Sequence, residues 1–137
     1  VGRVVVYPLP DLSVGASGYK GHATSSLTKH DRIGAELAYI HDPFTFKAEY
    51  VYGEDTNKKD GWYVEGAYKF AKQWQVAARY DTYNSDKNKS GSSIDQITLG
   101  LNWMINPHHK VQLDYERQSQ ESNTDNNVFE LQYQYRF

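Results

Sequence analysis

The chain has 137 residues, of which 39% are hydrophobic and 15% aromatic, and its formal net charge is −2 at pH 7. This length is typical of one domain. The absence of cysteine excludes disulfide scaffolds, thiolate metal sites and cysteine nucleophiles. The small net charge gives no indication of a nucleic-acid partner, and no apolar run approaches the about 20 residues that a spanning helix needs.

Apolar and polar residues alternate with a period of two along nearly the whole chain, which predicts strands and no helices. We predict nine strands, in chain order Gly2–Tyr7, Leu12–Ser17, Arg32–Tyr39, Phe44–Tyr52, Trp62–Phe70, Trp74–Asp81, Gln96–Trp103, Val111–Glu116 and Phe129–Phe137. The alternation has no exception in the last segment, where one face carries Phe, Leu and Tyr and the other Glu, Gln and Arg.

The connections alternate between short and long, which predicts antiparallel hairpins with all short turns at one end of the sheet. The short connections are Pro8–Asp11, Ile40–Pro43, Ala71–Gln73 and Asn106–His109. The long, polar connections are Lys20–Asp31, Gly53–Gly61, Asn84–Ser93 and Ser119–Asn127.

The aromatic residues indicate whether the apolar face of the strands is buried in a core or exposed to lipid. A soluble ligand-binding barrel buries its apolar face, whereas a membrane barrel exposes it to lipid between two aromatic girdles. Two groups of aromatics near the strand ends are predicted to lie at the membrane interfaces. They are Phe44, Phe70, Trp74, Trp103, Tyr135 and Phe137 near the short turns, and Tyr52, Trp62 and Tyr80 toward the long loops.

The opposite face carries charges that hydrocarbon would not tolerate but a water-containing lumen would. The predicted pore-lining residues are Arg32, Glu36, Lys47, Glu49, Glu65, Lys69, Arg79, Asp81, Asp114, Glu116, Glu130 and Arg136. Charges on one face of a strand form the same-face groups Lys47 with Glu49, Glu65 with Lys69, and Arg79 with Asp81. These groups either set ion preference or form a structural network within the lumen.

The pattern therefore predicts an all-β, antiparallel transmembrane barrel with short periplasmic turns and longer outer loops, located in the bacterial outer membrane. Residues 1–137 form one barrel domain or the C-terminal part of one. Nine is an odd number, and complete bacterial barrels have an even one. Either the strands belong to a larger barrel, or Gly2–Tyr7 does not span and the other eight close on themselves.

Four segments resemble the C-terminal part of the phosphate-selective porin O/P family: Asp60–Tyr68, Ala77–Asp81, Ile97–Asn102 and Gln132–Phe137. The resemblance implies a sixteen-stranded, trimeric, water-filled channel with a basic ladder for anions. On the predicted lumen face acids match or outnumber bases, so phosphate selectivity is not carried over. The terminal Phe137 looks like the signature that the outer-membrane barrel assembly machinery recognises, and outer-membrane lipids and lipopolysaccharide are the other expected partners.

The expected function is passive diffusion of small hydrophilic solutes or ions, anions among them. Two alternatives are a closed eight-stranded barrel with a structural or adhesive role, and a soluble lipocalin-like binding barrel. No enzyme, catalytic residue or cofactor is expected, because no Gly-x-Ser-x-Gly motif is present. No metal site is expected either, because His108 and His109 lack a third ligand. We predict His22, His30 and His41 to be solvated.

Overall fold

The computed structural model describes residues 1–21, 30–120 and 126–137. These residues form a single antiparallel sheet with the strand order β1-β2-β3-β4-β5-β6-β7-β8-β9. The strands are β1 (Gly2–Leu9), β2 (Leu12–Tyr19), β3 (Asp31–His41), β4 (Phe44–Glu54), β5 (Lys58–Ala71), β6 (Trp74–Asn84), β7 (Ser93–Asn106), β8 (His109–Gln120) and β9 (Asn126–Tyr135). All nine predicted strands are confirmed. In the described residues we find no helix with the length and apolar character needed to cross a membrane.

Two-residue turns connect the strands at one end of the sheet. They consist of residues 10–11, 42–43, 72–73 and 107–108. A two-residue loop is the tightest antiparallel hairpin connection, and it fixes the register of the strands on either side. The prediction that all short turns lie at the same end is confirmed.

One predicted long loop is wrong. Strand β4 continues to Glu54 and β5 begins at Lys58, so the connection between them is only three residues long instead of Gly53–Gly61. Glu54 lies directly opposite Lys58 in the register, as the last pair before the loop. Most of the predicted loops Lys20–Asp31 and Ser119–Asn127, and with them His22, lie outside the described residues.

The sheet is open within the described residues. Strands β1 and β9 form its two edges and do not pair with each other. Of the two alternatives, the one in which Gly2–Tyr7 does not span and the other eight strands close does not agree with this sheet, because β1 pairs with β2, for example Val4 with Ala16. This pairing occupies the edge of β2 that an eight-stranded barrel would have needed.

The sheet has one polar and one apolar face, and no hydrophobic side chain is buried among the described residues. We call the polar face the side that carries Glu36, Glu49 and Asp81, which belong to one register row across the sheet. The apolar face is the opposite side. Its large side chains are exposed, for example Leu99 at 51% and Leu131 at 73%. The sheet therefore has no core of its own on either side.

Candidate pore-lining face

Eleven of the twelve predicted pore-lining residues share the polar face, because residues directly opposite in an antiparallel register point to the same side. They are Arg32, Glu36, Lys47, Glu49, Glu65, Lys69, Arg79, Asp81, Asp114, Glu116 and Glu130. The assignment of Arg136 to a strand is wrong, because β9 ends at Tyr135. The backbone N–H of Arg136 donates to the carbonyl of His108 in the adjacent turn, 2.8 Å away.

The centre of the polar face carries a continuous set of charge contacts across β4, β5 and β6. Lys47 Nζ lies 3.3 Å from Glu65 Oε1, and Arg79 Nη1 lies 3.9 Å from Glu65 Oε2. Arg79 also donates through Nε and Nη2 to the carboxylate of Asp81. Its guanidinium carbon lies 3.8 Å from the centre of the Tyr63 ring, which is a cation–π distance. These side chains restrain one another.

Two of the three same-face groups predicted from the sequence do not form contacts. Lys47 contacts Glu65 on the next strand, not Glu49 on its own strand. Lys69 contacts Asp42 in the turn before β4, with its Nζ 2.6 Å from Oδ1. Glu65 lies directly opposite Lys47 in the register. Directly opposite side chains are closer together than side chains two positions apart on one strand. Only the pairing of Arg79 with Asp81 is confirmed.

Arg3 also belongs to this face, although the sequence did not mark it as a pore-lining residue. It lies opposite Ser17 on β2, and its Nε lies 3.0 Å from Oε1 of Glu36 on β3. Sequence reasoning missed it because Arg3 and Glu36 are 33 positions apart and lie on strands that are not adjacent. Only the register of three strands brings the two side chains together.

Two cationic side chains and one imidazole converge on Asp55 at the loop end of the polar face. Arg32 donates to both carboxylate oxygens, at 2.6 and 2.9 Å, and Lys59 Nζ lies 3.1 Å from Oδ2. The ring Nδ1 of His30 lies 2.9 Å from Oδ1. The hydrogen bonds from Arg32, followed by those from Lys59 and His30, hold the pKa of Asp55 well below its usual range, against the opposing effect of desolvation. His30 is therefore not simply solvated, as the sequence predicted.

The other described histidines also have partners. His41 Nδ1 lies 2.9 Å from Asp11 Oδ2, which joins two short turns. His109 stacks on the ring of Tyr133 and hydrogen-bonds its hydroxyl. The prediction that His41 is solvated missed its contact, because Asp11 is 30 positions away in another hairpin. No group of three side chains that could hold a metal ion occurs among residues 1–21, 30–120 and 126–137.

The polar face changes character on β7, β8 and β9. On this side β7 presents Gln96, Thr98, Gly100 and Asn102, none of which is ionisable. The carboxylates of β8 contact amides rather than cations. Gln96 Nε2 lies 3.2 Å from Glu116 Oε2, and Gln112 Nε2 lies 2.6 Å from Asp114 Oδ2. In the described part of the chain neither Asp114, Glu116 nor Glu130 forms an ion pair.

A concavity of about 690 Å³ lies where the charged and the neutral parts of the polar face meet. Lys47, Glu65 and Arg79 line one side of it, and Asn102 and Gln112 line the other. Its volume is within the usual range for small-molecule sites. The polar face therefore offers a defined recess as well as a charged wall.

Aromatic pairs occur toward both ends of the apolar face. Near the short turns the rings of Trp74 and Trp103 stack with centroids 5.5 Å apart and an interplanar angle of 6°. Toward the loops, Trp62 and Tyr80 lie 5.4 Å apart in a tilted arrangement. Further pairs are Phe44 with Tyr68, Tyr115 with Phe129, and Tyr135 with Phe137. Offset and tilted contacts at these distances stabilise aromatic pairs.

The chain is similar to known proteins both in its sequence family and in its fold. Residues 12–137 match the protein family described as phosphate-selective porin O and P. Among solved structures, the chain is similar to OmpTdeltaL8, a loop L8 deletion mutant of OmpT, an outer membrane protein of Vibrio cholerae, with a TM-score of 0.70 and 16% sequence identity. The match covers 97% of this chain and 51% of that one, so the chain spans about half the length of this relative. No curated protein matches the chain in sequence.

Proposed function

Because the chain belongs to the phosphate-selective porin O and P family and is located in the bacterial outer membrane, we propose that it forms part of the wall of a passive-diffusion channel. The observation that carries this proposal is the division of one sheet into a charged face and an uncovered apolar face. Lipid would cover the apolar face, and water and solutes would contact the charged one. No chemical step is involved.

The open sheet supports a larger barrel. An edge strand exposes unpaired N–H and C=O groups, and each such group is costly in hydrocarbon. Both β1 and β9 have such an edge. We therefore propose that further strands pair with β1 and β9 and complete a barrel wide enough for an aqueous channel.

The charge distribution supports only a weak ion preference in this part of the wall. The strands place seven bases on the polar face: Arg3, Arg32, Lys47, Lys59, Lys69, Arg79 and Lys110. They also place seven acids there: Glu36, Glu49, Glu65, Asp81, Asp114, Glu116 and Glu130. Every base except Lys110 contacts a carboxylate. Although the family description names phosphate, this wall offers a phosphate few free cations, and we do not propose that selectivity.

Conductance across a planar lipid bilayer tests the proposal, using the complete gene product purified in detergent. We expect stepwise, ohmic currents and a reversal potential near zero in a KCl gradient. A protein that migrates on gels as a heat-modifiable barrel but gives no current steps would contradict the channel. That result would favour the alternative of a structural or adhesive barrel.

A further inference from the structure

Four carboxamide side chains form a row across the polar face. Gln75 on β6 lies opposite Asn102 on β7, Asn102 opposite Gln112 on β8, and Gln112 opposite Gln132 on β9. We call these four residues the carboxamide row. None of them is ionisable. The ion pairs described above lie on the same face, on β4, β5 and β6. A carboxamide both donates and accepts hydrogen bonds.

The wall recedes beside this row. The next register row toward the loops contains Ala77 on β6 and Gly100 on β7, which face each other. Both residues line the concavity of about 690 Å³, as do Gln75, Asn102 and Gln112. The small side chain of Ala77 leaves room above the backbone, and the Asp114 carboxylate lies beside Gly100, 2.7 Å from where a Cβ would be. The recess therefore has a flat, small-residue floor and a margin of amide groups.

Two of these amides, Gln75 and Asn102, have unused hydrogen-bonding groups. Asn102 Nδ2 donates to Gln75 Oε1 across 3.2 Å. Asn102 is only 6% exposed, and its Oδ1 has no hydrogen-bond donor. Buried carbonyl oxygens nearly always have a donor, from the protein or from ordered water. Within the described residues, Gln75 Nε2 likewise contacts no acceptor. Gln75 Nε2 is therefore a free donor at the margin of the recess, whereas Asn102 Oδ1 is enclosed by neighbouring atoms.

The charged side of the recess does not favour an ionic solute. Lys47 and Arg79 are already paired with Glu65 and Asp81, and Lys110 donates a hydrogen bond to Gln112 Oε1. Together with Glu116, the lining carries three bases and three acids. An anion would have to compete with these carboxylates, and a cation would have to approach two paired bases. A neutral solute avoids both costs. Hydroxyl groups also match amides, because each hydroxyl donates and accepts.

We propose that this recess, with Gln75 and Asn102 at its centre, is a binding subsite for a neutral polyhydroxylated solute of about monosaccharide size. The inference rests on the proposed channel function, which it deepens by naming a solute class. The subsite would slow such a solute in the lumen and raise its local concentration. Its chemistry is that of a small neutral sugar or polyol.

Single-channel currents through the complete gene product in KCl test the inference with three probes: D-glucose, gluconate, and a polyethylene glycol of similar size. We expect glucose to reduce the current saturably and more than the polyethylene glycol, which occupies volume but lacks an array of hydroxyls. Gluconate, an open-chain carboxylate with the same six carbons and as many hydroxyl groups, should act more weakly. Gluconate acting as strongly as glucose would overturn the assignment to neutral solutes.

Variants locate the subsite. Gln75→Met keeps the length of the side chain but removes its hydrogen bonds, and it should raise the half-blocking glucose concentration about threefold to tenfold. Gln118→Met is the matched control, because Gln118 lies on the same face of β8 and outside the recess. If Gln75→Met does not fold, Gln112→Met takes its place. If the recess variant and the control variant raise the half-blocking glucose concentration equally, the carboxamide row is not part of the binding site.

The outcomes separate the two proposals. Absence of current steps from the unmodified protein would contradict the channel itself. Normal steps on which glucose acts no more strongly than polyethylene glycol would contradict the subsite and leave the channel intact. Saturable block by glucose that Gln75→Met weakens and Gln118→Met does not would support both.

Discussion

Arg3 and Glu36 form an ion pair across a strand that separates them. Arg3 lies on β1 and Glu36 on β3, and Gly15 of β2 lies directly opposite Glu36 in the register. A Cβ atom at position 15 would come within 2.7 Å of Glu36 Cγ. The absence of a side chain on Gly15 therefore leaves the space through which the two charges meet.

Gly15→Val should uncouple Arg3 from Glu36. Both side chains are partly exposed, at 63% and 34%, so Arg3→Gln should lower the free energy of unfolding by only about 0.2 to 1 kcal/mol. In the Gly15→Val background the same change should have no effect, because the valine displaces Glu36. A double-mutant cycle of chemical unfolding in detergent measures this coupling.

Gly66→Val is the control for that cycle, because a Cβ at position 66 meets nothing within 4 Å. The cost of Arg3→Gln should be unchanged in the Gly66→Val background. An unchanged cost in the Gly15→Val background as well would show that Gly15 does not matter for the pair.

Neighbouring residues of β9 provide a test of the two faces. Leu131 lies on the apolar face, 73% exposed, and Gln132 lies on the polar face. Leu131→Arg should make folding into lipid less favourable by about 2 to 4 kcal/mol if the position is at mid-membrane. Gln132→Arg should be far milder, because its side chain points to water. Folding into vesicles, followed by heat-modifiable migration, gives both values, and equal damage would refute the assignment of the faces.

The sequence could predict the strands and their faces, because a period of two is visible along each segment separately. The exceptionless alternation from Phe129 to Tyr135 illustrates this. The short turns were equally visible, since each one separates two alternating segments. These features depend on residues close together in the chain, and local patterns contain the information for them.

The contacts of the polar face could not be predicted in the same way. Lys47 contacts Glu65 because eleven paired positions of β4 and β5 set their register, and the alternation of each strand says nothing about register. The carboxamide row is hidden for the same reason, since Gln75 and Asn102 are 27 positions apart. Asp55 was not marked at all, because a loop carboxylate gives no sign in the sequence that Arg32, Lys59 and His30 will surround it.

The hydrogen bonds of Arg32, Lys59 and His30 to Asp55 predict a specific pH dependence. They lower the pKa of Asp55 in the folded protein, so the unfolded chain binds a proton at this carboxylate at higher pH than the folded one. The stabilisation is fully present above the unfolded pKa of about 3.9 and is lost as the pH falls toward the lower folded value. The difference in unfolding free energy between the unmodified protein and Asp55→Asn should therefore be constant from neutral pH to about pH 5 and shrink below about pH 4.

Chemical unfolding in detergent from pH 7 to pH 3 measures that difference. Glu54→Gln serves as the control, because Glu54 accepts a hydrogen bond from Tyr52 and forms no ion pair within the described residues. For Glu54→Gln, the difference in unfolding free energy should not follow the same dependence on pH as for Asp55→Asn. A difference for Asp55→Asn that grows as the pH falls would contradict the assigned direction of the pKa shift.

Arg79→Gln should shift the channel toward cations. The guanidinium of Arg79 compensates both Asp81 and Glu65, so its removal leaves Asp81 without a cationic partner and Glu65 with Lys47 alone. Reversal potentials in a KCl gradient measure the shift, which should move toward the potassium equilibrium potential. Lys72→Gln removes one positive charge from a short turn and should leave the reversal potential nearly unchanged. Identical shifts in both variants would indicate an effect of total charge rather than of the ion-pair network.

Phe137→Ala should impair assembly in the cell more than folding in a test tube. Phe137 follows β9, and its side chain is fully exposed, so its removal leaves the strand pairing of β8 and β9 intact. The proposal that it is recognised by the barrel assembly machinery predicts less protein in the outer-membrane fraction of cells that produce this variant. Refolding of the purified variant into detergent should match that of the unmodified protein. Phe129→Ala is the control, because this residue packs on Tyr115 within the sheet and should reduce stability in both settings. Normal outer-membrane levels of Phe137→Ala would refute a role in recognition.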